Sequence, residues 1–189
     1  MALNVVQYED ISAKLLQVPA LVDQLEARRT GFPDAVLVWL KDTEESMESN
    51  HMPAVSQIAA MRAMLLESAR GVYSEEISFT GRPTARKIQD GVASLVLQRS
   101  SELLHGAIAE RQAAFQDAER ISRQVLAVAD AKGYLEICND GRPHQAMLQC
   151  LQEQVSTDAD LASVYVHLVS LVGKTDVLVF LDRAMVDMS

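Results

Sequence analysis

The sequence predicts an all-α protein: a helical bundle organised around one long helix at about residues 83–132, with short N-terminal helices and a C-terminal helical pair. Apolar residues recur at steps of three and four along most of the chain, which is the helical period. Aromatic residues make up only 5% of the sequence, and this favours helix packing over sheets. No proline lies between Pro83 and Pro143, so a helix can continue there without a break.

The long segment carries two rows of residues at helical spacing. The first row is Ile88, Val92, Leu95, Arg99, Leu103, Ala107, Glu110, Ala114, Ala118, Ile121, Val125 and Val128. The second row, on a neighbouring face, is Leu97, Leu104, Ile108 and Phe115. Two apolar faces need two sets of neighbours, and we expect the second face to meet another subunit. Gly91, Ser100, Ser101 and Gly106 are places where the helix can break, so one helix and two shorter helices both remain open.

Three shorter helices are predicted before the long one. The first runs from Asp10 to Arg29, and Pro19 should kink it or split it. The second begins at Asp34, after a turn, and the third begins at Pro53 and reaches Ala69. We therefore divide the chain into an N-terminal helical segment at 1–71, a connecting loop at 72–82, and the long helix with the C-terminal helices at 83–189, all within one compact domain.

The C-terminal part begins after the stop signal at Gly133. Asn139-Asp140-Gly141 is a turn sequence, and Pro143 then opens a helix. The next helix, at 161–172, is apolar nearly all round and should be central. Residues 177–186 fit a last helix, although 177–181 alone also fits a strand. We expect Cys138 and Cys150 to be buried thiols rather than a disulfide framework.

Composition excludes several classes of function. The net charge of −9 disfavours nucleic acids and anionic membranes as partners, because both carry phosphates. We find no signal peptide and no transmembrane stretch in the sequence, so we expect a cytoplasmic protein.

A pair of Glu-x-x-His units is the sharpest chemical signal. Glu48 and His51 form one unit, and Glu102 and His105 form the other. At this spacing on a helix the two side chains face the same way and can share a metal ion. In outline the pattern resembles ferritin-like di-iron bundles, which use two such units with single glutamates from two further helices. The resemblance implies a di-iron or manganese site.

Three cations precede or open the long helix: Arg82, Arg86 and Lys87. Positive charge at a helix N-terminus opposes the helix dipole, and a bound anion would relieve that cost. The sequence also allows an acidic patch as their partner, either Glu75-Glu76 of this chain or carboxylates of another subunit.

No complete catalytic constellation is visible, and this favours a non-enzymatic role. We expect a helical protein–protein interaction or scaffold protein that forms a homo-oligomer or binds a protein partner through the long helix. The alternatives are the carboxylate and histidine metal protein and an anion-binding helical regulatory domain.

Overall fold

The computed structural model describes residues 3–73, 77 and 83–188, and within these ranges the chain folds into helices without a strand. The helices are α1 (Val5–Leu15), α2 (Val18–Glu26), α3 (Phe32–Ser49), α4 (Val55–Ser68), α5 (Ala85–Ala131), α6 (Tyr134–Cys138), α7 (His144–Thr157), α8 (Ala162–Val172) and α9 (Lys174–Met188). The predicted all-α fold, with its long helix and its C-terminal pair, is confirmed. Residues 177–181 are helical, so the strand alternative is wrong.

The long helix is one element of 47 residues, which answers the question that the sequence left open. The hydroxyl of Ser101 donates to the Leu97 carbonyl at 2.7 Å, and that of Ser100 donates to the Met61 sulfur at 2.8 Å. Both serines satisfy their polar groups without interrupting the backbone ladder. Gly133, with a φ of 76°, provides the left-handed residue that ends the helix.

The first predicted helix is split rather than kinked. α1 ends at Leu15 and α2 begins at Val18, so Pro19 lies in the first turn of α2. A proline is tolerated there, because the amide that it lacks would have no acceptor within the helix. The break therefore comes before the proline.

Residue contacts divide the chain into two compact units. The N-terminal unit comprises residues 6–109, and the C-terminal unit comprises residues 110–188 together with residues 3–5. The border falls inside α5. The segment boundaries that the sequence suggested, at 71 and 83, stay a prediction.

In the N-terminal unit, α3 packs against both α2 and α4. The indole N–H of Trp39 donates to the Lys14 carbonyl at 3.1 Å and ties α3 to the end of α1. Arg62 of α4 donates to both carboxylate oxygens of Glu44 in α3, at 2.6 and 3.3 Å. The buried apolar residues of the unit include Leu21, Phe32, Val36, Trp39, Leu40, Met47, Ile58, Leu65, Val92, Val96, Leu97 and Leu104.

In the C-terminal unit, α7 packs against α6, α8 and α9. Arg111 of α5 donates to the carbonyls of Leu3 and Leu171, both at 3.1 Å. Its guanidinium also lies 4.9 Å from the centre of the Phe115 ring. One side chain thus fixes the start of the chain and satisfies a carbonyl at the C-terminal end of α8. The core includes Phe115, Ile121, Val125, Leu126, Leu151, Val155, Leu168, Val177, Phe180 and Leu181.

The last two helices are separated by a single residue, Gly173, whose φ of 88° favours glycine. In the part of the chain that the structure describes, no single helix is long and apolar enough to cross a membrane. α8 and α9 reach that length and composition only as a pair, and the pair is bent by 111°.

The two cysteines form a disulfide, and the expectation of free thiols is wrong. Cys138 is the last residue of α6 and Cys150 lies in α7, and their Cα atoms are 5.7 Å apart. The turn at Asn139-Asp140-Gly141 folds α7 back against α6, as the packing of these helices shows. The bond therefore closes this turn covalently.

An ionic cluster joins the end of α5 to the segment between α7 and α8. The ammonium of Lys132 lies 2.7 Å from the Asp158 carboxylate and 2.6 Å from that of Asp160. The hydroxyl of Tyr134 donates to Asp158 at 2.6 Å. The hydrogen bond from Lys132, and to a lesser extent that from Tyr134, hold the pKa of Asp158 well below its ordinary 3.8. They outweigh the effect of burial, which raises the pKa of this carboxyl group because its side chain is only 8% exposed. The hydrogen bond from Lys132 to Asp158, and to a lesser extent that to Asp160, raise the pKa of Lys132 above its ordinary 10.5.

We expect reduction of the disulfide to lower the free energy of unfolding by about 2–3 kcal/mol, because the bond restricts a short loop of the unfolded chain. Denaturant unfolding with and without a phosphine reductant measures the difference. The Cys138→Ser/Cys150→Ser double variant is the control, and reductant should leave its midpoint unchanged. The bond would be refuted if protein that has not been treated with reductant were denatured and both cysteines then reacted with an alkylating agent.

We expect the ionic cluster to make the fold sensitive to acid. The pKa of Asp158 is lower in the folded state than in the unfolded state. Asp158 therefore contributes fully to the free energy of unfolding above its ordinary pKa, and this contribution is lost as the pH falls through the folded-state pKa. The pKa of Lys132 is raised in the folded state, so Lys132 contributes to the free energy of unfolding at all pH values below its ordinary pKa and loses that contribution only at higher pH. The thermal midpoint of the wild type should therefore decrease as the pH is lowered from about 5 to about 2.

The Asp158→Asn variant should lose part of this acid dependence, because it cannot titrate while its amide oxygen can still accept the backbone hydrogen bonds from Asp160 and Leu161. Asp187→Asn is the matched control, since that carboxylate forms an exposed pair with Arg123. Parallel pH curves for the two variants would contradict the assignment.

Candidate functional sites

The four predicted metal ligands all lie in the N-terminal unit, and all four residues are exposed. Glu48 is near the end of α3, and His51 follows that helix. Glu102 and His105 lie on α5, where the Glu102 carboxylate accepts a hydrogen bond from Gln98 at 2.9 Å. Among the described residues, no group of three or more His, Cys, Asp or Glu side chains is placed to hold a metal ion. The di-iron or manganese site therefore stays a prediction without support from the geometry.

The backbone gives His51 a different role. It has a left-handed conformation, with a φ of 53°, immediately after the C-cap of α3. Its N–H donates to the Glu48 carbonyl at 3.0 Å, and the N–H of Met52 donates to the Met47 carbonyl at 2.9 Å. These two hydrogen bonds are those of a Schellman motif, in which the left-handed residue is usually glycine. His51 thus stands where a helix-ending residue is needed.

The predicted anion site is described in part. Arg82 lies outside the described residues, as do Glu75 and Glu76, the acids proposed as its partners. Arg86 and Lys87 occupy the first turn of α5, where the hydroxyl of Thr84 accepts the Lys87 N–H at 3.3 Å. The cap satisfies one amide of the helix terminus and leaves the two cationic side chains exposed.

Two further cations lie beside them. Arg28 and Arg29 follow α2, and together with Arg86 and Lys87 they line a cleft of about 620 Å³. The guanidinium of Arg86 donates to the Arg28 carbonyl at 2.7 Å, which holds the two segments together. The remaining lining residues are Leu25, Phe32, Thr84 and Asp90. We call this the basic cleft.

The end of α2 places Arg28 and Arg29 at this cleft. Arg28 has a φ of 52°, and its N–H donates to the Leu25 carbonyl at 2.9 Å. The N–H of Arg29 donates to the Gln24 carbonyl at 3.0 Å, which completes a second Schellman motif. Neither arginine was predicted as a site residue, and their only sequence signal was the pair of cations that suits a helix C-terminus.

The face of α5 that was expected to meet another subunit is covered within the chain. The four members of the second row, Leu97, Leu104, Ile108 and Phe115, are all buried. Members in the middle of the first row, including Leu103 and Ala107, are half-buried. Within these two rows, the side chains that are not buried thus lie from Leu95 to Ala114 and at Val128.

A second cleft, of about 490 Å³, lies between α4 and the start of α5. Its walls are almost entirely apolar, and we call it the apolar cleft. It is lined by Ala60, Ala63, Met64, Glu67, Val72, Tyr73 and Val92. Ala60, Ala63, Val72 and Tyr73 are exposed residues. This cleft was not predicted from the sequence, because α4 has apolar residues on several sides and their pattern does not indicate which side faces the core.

Comparison with known proteins gives no relative: no protein-family model, no curated protein and no solved structure matches this chain.

We expect the His51→Gly variant to be more stable than the wild type, by about 0.5–1 kcal/mol, because glycine adopts the left-handed conformation without steric cost. Denaturant unfolding measures the difference. His105→Gly is the matched control, and it should destabilise by about 1 kcal/mol because its position is inside a helix. A destabilised His51→Gly variant that also loses bound iron or manganese would instead support the metal site.

Proposed function

We propose that this protein is a helical interaction or scaffold protein that self-associates, and that the outer face of α4, with the apolar cleft, is its contact surface. The observation that carries the proposal is that α4 buries Ile58 and Leu65 on one side, whereas the apolar residues Ala60, Ala63 and Leu66 on its other sides are exposed. An apolar helix face that the chain does not cover is a common sign of a protein contact.

The inner side of α4 is formed by Ile58 and Leu65, which are buried. On the outer side, Ala60 and Ala63 are exposed, and Leu66, on the flank of the helix, is 45% exposed. The small alanines allow the backbone of a partner helix to approach closely. The apolar cleft beside them offers a pocket for a larger side chain, and interfaces commonly bury an apolar anchor in such a pocket.

We take the partner to be a second copy of the chain. In a two-fold contact the same patch faces itself, so it must be complementary to its own shape and charge. Two features of α4 support this choice, namely an exposed apolar residue, Leu66, that can enter a pocket and a concave apolar cleft that can receive one. Its acid, Glu67, is paired with Arg70 at 3.2 Å. In a chain of net charge −9, such a face is where two copies repel each other least.

This proposal moves the contact surface away from the long helix. The sequence predicted a contact through the second row of α5, but that row is buried, and α5 contributes Val92 to the wall of the apolar cleft. The long helix then acts mainly as the support on which α4 is held.

The cytoplasmic location stays a prediction, and the disulfide between Cys138 and Cys150 weighs against it. Disulfides persist in oxidising compartments and are uncommon in the cytosol of most organisms. The redox state of the two cysteines in protein isolated under thiol-blocking conditions bears directly on this question.

We expect the wild-type protein to be a dimer at micromolar concentration and the Ala63→Glu variant to be a monomer. The substitution places a carboxylate on each side of the two-fold contact, where like charges repel and lose solvent. Glutamate is a good helix former, so α4 should remain folded. Sedimentation equilibrium and far-UV circular dichroism measure the two properties.

The matched control is Val38→Glu, because Val38 is an exposed apolar residue of α3 that does not line the apolar cleft. That variant should remain a dimer. A strictly monomeric wild type, or equal dissociation of the two variants, would refute the proposed surface.

A further inference from the structure

The basic cleft concentrates positive charge in an acidic protein. Among the described residues, four cationic side chains line it, and Asp90 is the single carboxylate. Over the whole sequence, acidic residues outnumber Lys and Arg by 26 to 17, so such a local excess of cations is unusual for this chain. Like charges held close together repel each other unless a counter-charge lies among them.

Within the part of the chain that the structure describes, a carboxylate supplies that counter-charge for only one of the four. Arg86 lies 3.6 Å from the Asp90 carboxylate and also donates to the Arg28 carbonyl. The side chains of Arg28, Arg29 and Lys87 form no hydrogen bond or ion pair with any residue that the structure describes. Three cations therefore face one cleft with their donors available to a ligand.

We propose that the basic cleft binds a small organic phosphate, with Arg28, Arg29 and Lys87 as the groups that hold its phosphate oxygens. Guanidinium groups match phosphate geometry, because two parallel N–H donors can reach two oxygens, and a lysine adds a mobile point charge. Arg86 is a positioning residue, since it joins the end of α2 to the start of α5. The inference does not depend on the proposed self-association, which involves another surface.

The size and the floor of the cleft indicate the class of ligand. A volume of about 620 Å³ is in the range of pockets that accept drug-sized molecules and exceeds the needs of an inorganic ion. The half-buried Leu25 and the buried Phe32 provide an apolar floor between the cations. A phosphate attached to a flat or apolar group, as in a nucleotide, satisfies both features.

Isothermal titration of the full-length protein tests this site, with ATP, inorganic tripolyphosphate and adenosine as probes in the absence of metal. We expect ATP to bind, tripolyphosphate to bind more weakly, and adenosine not to bind detectably. The affinity for ATP should fall as sodium chloride is added, because salt screens the contacts between the exposed charges and the phosphates.

The decisive variant is Arg29→Gln/Lys87→Gln. Neither side chain has a described partner, so the fold should be retained, as circular dichroism can verify. Loss of two charge-assisted contacts should weaken ATP binding by about tenfold or more. The control is Lys41→Gln/Arg120→Gln, which removes the same charge from two exposed residues that do not line the cleft.

The control variant should bind ATP as the wild type does. An equal loss in both double variants would show that only the overall charge matters, and it would overturn the site. So would a wild type that does not bind ATP, or one that binds adenosine equally well.

Discussion

The unbroken backbone of α5 is the constraint on which both units depend. Its first half contributes Val92, Val96 and Leu97 to the core of the N-terminal unit, and its second half contributes Ile121 and Val125 to the other core. A break between the halves would leave four N–H and four C=O groups without helical partners, and each would need a cap or water. Continuity avoids that cost, so one helix supplies a wall to two cores.

The pattern along α5 carries a signal of this division. The first row is buried at Ile88 and Val92 and again from Ala118 to Val125, whereas it is half-buried or exposed from Leu95 to Ala114 and at its last member, Val128. The two charged members of the row, Arg99 and Glu110, lie inside that central stretch, and so does the border between the units, at 109/110. In the sequence this stretch appeared only as a weakening of the apolar stripe, because periodicity alone does not show that a helix serves two cores.

Features that depend on neighbouring residues could be predicted, and features that depend on distant ones could not. Apolar spacing, proline positions and glycine stops gave the helices, since these signals act within a few turns. The pairing of Cys138 with Cys150 depends on the direction in which α7 returns. The hydrogen bond between Arg86 and Arg28 depends on how two helix ends that are 58 residues apart in the sequence meet in the fold. The left-handed backbone of His51 was not predicted, because a Glu-x-x-His spacing and a helix ending look alike in sequence.

The basic cleft shows why net charge is a poor guide to a local site. Charges beyond about 10 Å are largely screened at ordinary salt, so the acids elsewhere contribute little to the field within the cleft. The arrangement is fixed by backbone geometry instead. Arg28 is left-handed at a cost of about 1 kcal/mol, which the Schellman hydrogen bonds and the Arg86 contact offset. Because those contacts involve backbone carbonyls and amides, the cationic side chains of Arg28 and Arg29 take no part in holding the turn and remain available for binding.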